Sequence, residues 1–169
     1  MSAITIRTKL QPGDLSYIAY IHSTLYADEC HYGLGFEAYV LRGLSTFAED
    51  YDADKDCVWM VEQEGKMVGC LIAVMQRDAL QLRYYLLLPD YRGQGIGKLL
   101  MEHFIAHMRD KGFGKAFLWT TNEQQGAISL YTKFGFLLTE KKPSTAFGKP
   151  LMELRYDLVL AQQGKVMQI

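Results

Sequence analysis

The order in which strand-like and helix-like patterns follow one another predicts a mixed α/β fold: one mostly antiparallel sheet of six or seven strands with helices on both faces. Three observations predict it. Strand patterns separated by tight turns crowd the middle of the chain, as antiparallel hairpins do. A glycine-rich loop then leads from a strand into a helix and on to another strand, the order of a β-α-β crossover. Helical patterns stand both before and after that crossover, so each face of the sheet has a layer to cover it.

ITIRTKL alternates like a short strand, and PGD supplies a turn with Asp14 as a cap for a helix through Leu15, Ile18, Ile21 and Leu25. HYGLG breaks that helix, and Phe36, Tyr39, Val40, Leu44 and Phe47 mark a second. CVWMVEQ and KMVGCLIAVMQ flank the turn-like EGK, and LQLRYYLLL follows, ended by Pro89. After the glycines, apolar or semi-apolar residues at positions 96, 99, 100, 103, 104, 107 and 108 keep a helical rhythm that Gly112 and Gly114 close. KAFLWTT reads as a strand, AISLYTKF as a short helix, and FLLTE and LMELRYDLVL as the last strands. Residues 1–160 form one domain in this reading, and AQQGKVMQI, 161–169, is a fraying tail.

A length of 169 residues, 49% of them hydrophobic, supplies one sizeable core. With 18 basic and 19 acidic residues the formal charge is -1, so no global field draws the chain to nucleic acid or an anionic membrane. Cys30, Cys57 and Cys70 are odd in number and form no CxxC, which fits reduced thiols in a core. The first residues lack the apolar stretch of a signal peptide, and no run approaches the roughly 18 residues that cross a bilayer. The expectation is a soluble, cytoplasmic protein.

The chemistry concentrates in LLLPDYRGQGIGKLL, residues 86–100. Glycine has no Cβ, so Gly93, Gly95 and Gly97 let successive amides converge, and the helix that follows offers unpaired N–H groups and a partial positive charge. Such a nest holds phosphate, with Arg92 and Lys98 as cations at its edges. Two familiar phosphate loops do not fit. A Walker loop would need glycine at Arg92 and a hydroxyl at Leu99, and the dinucleotide fingerprint would need a third glycine at Lys98 or Leu100. A tight turn with no ligand is the other reading of these glycines.

The stretch Arg92, Gly93, Gln94, Gly95, Ile96, Gly97 resembles the acetyl-CoA-binding signature [QR]xxGx[GA] of the GNAT family of N-acetyltransferases. A second stretch, NEQQGAISLYTKFGF, resembles that family's later signature through Asn122, Ala127, Leu130, Tyr131, Lys133, Gly135 and Phe136. The two together cover residues 82–136. Weaker likeness outside them, in HSTLYADECHYGLGFEAYV and TAFGKPLMELRYDL, is to the acetyltransferase domain that some bacterial proteins carry behind a MarR-type DNA-binding domain, and the expectation is a free-standing acetyltransferase without the DNA binding. The resemblance implies a sheet splayed between its fourth and fifth strands, with the pantetheine arm of coenzyme A against the backbone of Leu86, Leu87 and Leu88. It also implies acetyl-CoA as co-substrate, no metal, an amine of a small molecule, amino acid or peptide as partner, and a homodimer through the last strands.

Acetyl transfer needs a neutral amine, stabilisation of an oxyanion and a proton for the leaving thiolate. Tyr131 stands where the family places its acid, and a phenol stays protonated at neutral pH. Asn122 either caps the following helix or bonds the pantetheine. A main-chain amide of Leu87 or Leu88 meets the oxyanion if the strand bulges there. Many relatives carry a glutamate on the strand before the glycines, but LQLRYYLLL has none, so Glu29 and Glu37, with His31 as a third, are the candidate bases. Arg83 is suited either to a carboxylate on the acceptor or to a salt bridge along the strand. His103 and His107 share a helix face without a third metal ligand, and Trp59 and Trp119 are read as core. The rival to an enzyme is a noncatalytic acyl-CoA-binding module, and beyond it a phosphate site for another nucleotide.

Overall fold

A computed structural model describes residues 3–161 as one seven-stranded sheet with helices on both faces. Strand β1 (Ile4–Arg7) leads into helices α1 (Asp14–Cys30) and α2 (Leu34–Asp50), then strands β2 (Cys57–Gln63), β3 (Lys66–Gln76) and β4 (Ala79–Leu87). A 3-10 turn (Pro89–Tyr91) precedes α3 (Ile96–Lys111), β5 (Lys115–Thr121), α4 (Gln125–Lys133), β6 (Leu137–Ser144) and β7 (Leu151–Val159). The spatial order is β1-β2-β3-β4-β5-β7-β6, antiparallel throughout except for the parallel pair β4 and β5. The tail expected at 161–169 lies outside the described residues from position 162 onward.

Local chemistry explains the turns. Glu64 and Gly65 both take positive φ between Gln63 and Lys66, the two-residue turn whose twist matches that of a hairpin. Gly112, at φ 76°, ends α3 with its amide on the carbonyls of Arg109 and Met108. Alternation along the strands then divides the core. Val58, Met60, Cys70, Ile72 and Leu86 pack with Ile18, Val40 and Leu44 under α1 and α2. Trp59, Val61, Leu71, Leu80 and Leu118 pack with Leu100, Phe104 and Tyr131 under α3 and α4. Among the described residues, no helix is long and apolar enough to cross a membrane.

Some local expectations shift. Asp14 does not cap α1; Gly13 is the cap residue, and the Asp14 carboxylate instead accepts from the Gln11 amide at 2.7 Å and from both terminal nitrogens of Arg7. The buried stripe of α3 is Ile96, Leu100, Met101, Phe104, Ile105 and Met108, leaving Leu99 and His103 exposed. Polar imidazoles counted into the stripe caused the rotation: His103 and His107 sit beside Trp59 at the edge of the layer, with ring centroids 6.5 and 5.7 Å away. Trp59 is core, but Trp119 is half-buried, with the Lys142 ammonium 4.7 Å from its ring centroid.

Arg7 joins β1, α1 and β2 through Asp14 and Glu62. Burial pushes the Asp14 carboxyl up, but the Arg7 hydrogen bonds and charge together with the Gln11 amide outweigh it, and its pKa falls below the ordinary value. A depressed carboxyl adds stability above its unfolded pKa of about 3.9, and that stability disappears as pH falls through the folded value. Asp14→Asn is therefore expected to cost about 1–3 kcal/mol at pH 7 in urea melts, with the gap to wild type narrowing below pH 4; a gap independent of pH would contradict this account.

Candidate active site

Strands β4 and β5 pair at Leu80 with Ala116 and at Gln81 with Phe117, and beyond those residues they part. The parting follows from a bulge in β4. Cys70 faces Leu86 and Ile72 faces Arg83, so Leu71 alone stands opposite both Tyr84 and Tyr85. Tyr84 takes φ 51° to make the bulge, a left-handed conformation that costs a non-glycine residue energy. The side-chain parity changes there. Leu80 and Leu82 face α3, Tyr84 and Leu86 face α1 and α2, and Tyr85 and Leu87 return to the α3 side.

The bulge expected near Leu87 and Leu88 thus lies at Tyr84 and Tyr85. The Leu88 amide donates to the Val68 carbonyl at 2.9 Å. By the alternation of an antiparallel ladder, Leu86 also bonds back to β3 while the backbone of Leu87 faces the gap. The Leu87 carbonyl accepts from Arg92 Nε at 3.0 Å, and the Arg92 guanidinium reaches on to Glu29 at 2.7 and 3.2 Å.

The glycines behave as different devices. Gly93 and Gly95 take φ 72° and 82°, and an added Cβ would find open space at both, so conformation selects glycine there. Gly97 has no such conformation, yet a Cβ on it would run into the Tyr85 hydroxyl. From Gly93 through Lys98 no main-chain amide donates to a backbone oxygen among the described residues; the first helical bond is Leu99 to Gly95. The amides are a donor array at the start of a helix of 16 residues. Gln94 braces the loop through its side-chain amide on the Asp90 carbonyl, Lys98 lies 3.5 Å from Glu102, and Ile96 anchors the turn in the core.

Across the gap, Tyr131 on α4 is buried, with its ring 6.0 Å from Tyr85 and 6.1 Å from Phe136. Burial first, then the phenols of Tyr26 and Tyr85, hold its pKa well above the ordinary tyrosine value. Asn122 does not cap α4, whose cap residue is Gln124. Its Oδ1 accepts from the Met152 amide at 2.9 Å, extending the ladder between β5 and β7 and leaving its side-chain NH₂ for another partner.

On the α1–α2 side of the same gap lies a cavity of about 130 Å³. Aromatic rings of Tyr26, Tyr32, Phe36, Tyr39, Phe147 and Trp119 form most of its wall, with Tyr84 and Tyr85 from the bulge. The connection between β6 and β7 closes it: the Phe147 carbonyl accepts from the Gly33 amide at 2.9 Å, and Lys149 Nζ bonds the Cys30 carbonyl and Glu123. Tyr32 Oη and Thr121 Oγ1 lie 2.8 Å apart beside it. Glu29 and Glu37 do not line this cavity, nor does His31, which ends α1 at φ 59°. The carboxylate that does is Glu153, with Lys142 at 3.2 Å.

His22, a further cavity residue, is 5% exposed and pushed down to about pKa 4 by burial, with Nδ1 donating to the Ile18 carbonyl. Its position four residues after Ile18, in line with the buried stripe of α1, was a signal available in the sequence. Glu153 had none, because it reaches the cavity only through β7 lying between β5 and β6.

Residues 24–136 match the model of the acetyltransferase (GNAT) family. The chain belongs to that family. Among its relatives, human N-acetyltransferase 8B is 35% identical over 121 residues, 65% of this chain and 53% of that protein. The chain spans about half the length of such curated relatives. The fold is shared with the ribosomal-protein-S18-alanine N-acetyltransferase of Escherichia coli, at TM-score 0.67 and 23% identity over 99% of this chain and 100% of that one. A GNAT family acetyltransferase from Elizabethkingia anophelis with acetyl-CoA bound matches at TM-score 0.64 and 15% identity, covering 93% and 98%. Among the described residues, no group of three or more His, Cys, Asp or Glu could hold a metal.

The contact between Gly97 and Tyr85 in this GNAT chain is open to a double-mutant test. In a helix, Gly→Ala gains about 0.5–1 kcal/mol. Gly97→Ala is expected to realise that gain in a Tyr85→Phe background and to fall short of it by about 1 kcal/mol where the hydroxyl is present. Equal effects in both backgrounds, read by denaturant melts, would remove the hydroxyl as the constraint.

Proposed function

We propose that this GNAT chain is an N-acetyltransferase that moves an acetyl group from acetyl-CoA to the primary amine of a small molecule, amino acid or peptide. The observation that carries the reading is the meeting, at one gap between β4 and β5, of a free donor array, a buried phenol and an aromatic cavity holding a carboxylate.

The residues suit acetyl-CoA. Amides from Gly93 through Lys98, with Arg92 and Lys98, would hold its diphosphate. The backbone of Leu87, flanked by Leu86 and Leu88, would pair with the pantetheine amides in the gap, and Asn122 has a donor to spare. Acetyl-CoA, when bound, supplies an acyl group activated as a thioester. Glu153 takes a proton from the acceptor's ammonium, directly or through water, and so frees the lone pair for attack. As the C–N bond forms and the C–S bond breaks, Tyr131 Oη, kept protonated by its burial, gives its proton to the sulfur. The second proton shed by the nitrogen returns to the phenolate through water. Phe147 and the aromatic wall exclude water from the amine.

Gly95→Glu puts bulk and negative charge among the phosphate donors and is expected to abolish the rise in melting temperature that coenzyme A produces. Unchanged stabilisation would reduce the loop to a turn, and stabilisation of wild type by ATP or NAD but not by coenzyme A would point to another nucleotide. In a thiol-release assay across an amine panel, Tyr131→Phe and Glu153→Gln should each lower kcat by about 100-fold or more while leaving coenzyme A affinity within a few-fold. Wild-type turnover in either variant removes that residue from its role. Coenzyme A binding with no thiol release from any amine would favour the noncatalytic acyl-CoA-binding module.

A further inference from the structure

Two consecutive side chains of β4, Arg83 and Tyr84, line the cavity from the same face of the sheet. In a regular strand they would point to opposite faces; the bulge turns the second one back beside the first. Both converge on Gly43 of α2, where a Cβ would strike the Tyr84 hydroxyl and the Arg83 guanidinium alike. The guanidinium carbon lies 4.7 Å from the Tyr84 ring centroid.

Neither polar group has a hydrogen-bond or ion-pair partner in the protein among the described residues. Arg83 forms no ion pair among the described residues, which disposes of the salt bridge along the strand that the sequence allowed. Of the acids that share a second cavity with Arg83, Asp52 pairs with Lys55, Asp56 accepts from the amides of Asp52 and Met75, and the exposed Asp50 forms no ion pair with Arg83 among the described residues. Tyr84 Oη is fully buried with no hydrogen-bond partner among the described residues. Burial pushes that phenol up to about 12, so it is a donor at any physiological pH. A fixed cation and a neutral O–H donor, side by side and unpaired on the wall of a cavity, are the complement of one carboxylate. Alongside them, rings of Tyr26, Tyr32, Phe36, Tyr39 and Phe147 enclose about 130 Å³, room for one aromatic ring or branched aliphatic group.

We infer that the acceptor is a free α-amino acid with an aromatic or branched apolar side chain, its carboxylate held by Arg83 and Tyr84 and its side chain within the ring cluster. This rests on the acetyltransferase reading for the fate of the amine, but the binding of the amino acid is separately measurable. In a peptide N-terminus or a simple amine the carboxylate is missing, and the Arg83 guanidinium and the buried Tyr84 hydroxyl stay unanswered.

The test compares acetyl transfer to L-phenylalanine, L-phenylalaninamide, 2-phenylethylamine and glycine, together with calorimetric titration of L-phenylalanine in the presence of coenzyme A. Wild type is expected to prefer L-phenylalanine over its amide and over 2-phenylethylamine by about 100-fold in kcat/KM, and over glycine by at least about 10-fold. Arg83→Gln should collapse the first preference to within about 10-fold and weaken L-phenylalanine affinity in step, with Arg83→Lys between the two. Tyr84→Phe supplies a readout that a structural role would not give: removing an unsatisfied buried hydroxyl should raise the melting temperature while weakening L-phenylalanine affinity several-fold. Equal use of the amide and the acid, or an Arg83→Gln protein that keeps the preference, overturns the inference and leaves acetyl transfer standing. L-Phenylalanine bound through Arg83 without transfer to any amine sustains the inference about the pocket and defeats the acetyltransferase reading.

Discussion

One left-handed residue in the middle of β4 decides the architecture of the site. With Tyr84 at φ 51°, Leu71 of β3 is left opposite both Tyr84 and Tyr85, and β4 bends away from β5 after a single short stretch of pairing. A regular parallel pair would have continued the ladder toward Leu87 and Thr121 and sealed the sheet. The bulge leaves the Leu87 backbone facing a gap and at the same time reverses which side chains face which layer. Backbone strain at Tyr84 costs on the order of 1–3 kcal/mol, an amount tolerated only where the surrounding core fixes the geometry. Cys70 and Leu86 beside it are deeply buried and hold that geometry in place.

The two layers of this sheet also act on each other across the gap. Tyr26 belongs to α1 and Tyr131 to α4, on opposite faces, yet the first contributes to the rise in the second's pKa. Burial pushes the Tyr85 phenol up to about 12, and Tyr26 and Tyr32 rise for the same reason. Phenols in this state donate hydrogen bonds and do not carry charge, so the site lacks free anions apart from the carboxylates at its rim. Such surroundings strengthen any charge pair formed inside, which is why an unpaired Arg83 and a rim carboxylate such as Glu153 weigh more here than they would in water.

Most of the fold was legible because its signals are local. The bounds of β2, β3 and β5 follow from alternation and turn residues, and the hairpin turn at Glu64 and Gly65 from its sequence. The glycine loop stood out through its own residues, and Tyr131 through the resemblance of its stretch to a family signature. What escaped depends on contacts between distant segments. No local pattern shows that β7 inserts between β5 and β6, and that insertion alone carries Glu153 to the cavity. The exact position of the bulge was hidden as well, because LRYYLLL alternates equally well in either parity. Asn122 presented a helix-cap pattern, but the Met152 amide across the ladder captured its side-chain oxygen first. Glu29 and Glu37 fell on the expected segment, yet the side chains that α1 and α2 turn toward the cavity are rings, an imidazole and the aliphatic Val40.

Arg92 links the glycine loop to the layer on the other side of the gap. Its Nε occupies the Leu87 carbonyl, the backbone oxygen that faces the gap, while its terminal nitrogens grip Glu29 from the end of α1. This contact ties the glycine loop to the opposite layer and orders both. Its strength is small, however: the two side chains are 46% and 34% exposed, and an ion pair in such a position is worth about 0–1 kcal/mol. In the proposed reading, a ligand that offers a diphosphate to Arg92 and an amide N–H to the Leu87 carbonyl would replace both partners with charge-assisted and main-chain hydrogen bonds of its own. The contact that orders the loop is thus weak enough to be exchanged, and the groups that make it, Arg92 and the Leu87 carbonyl, are those the proposed reading assigns to the coenzyme.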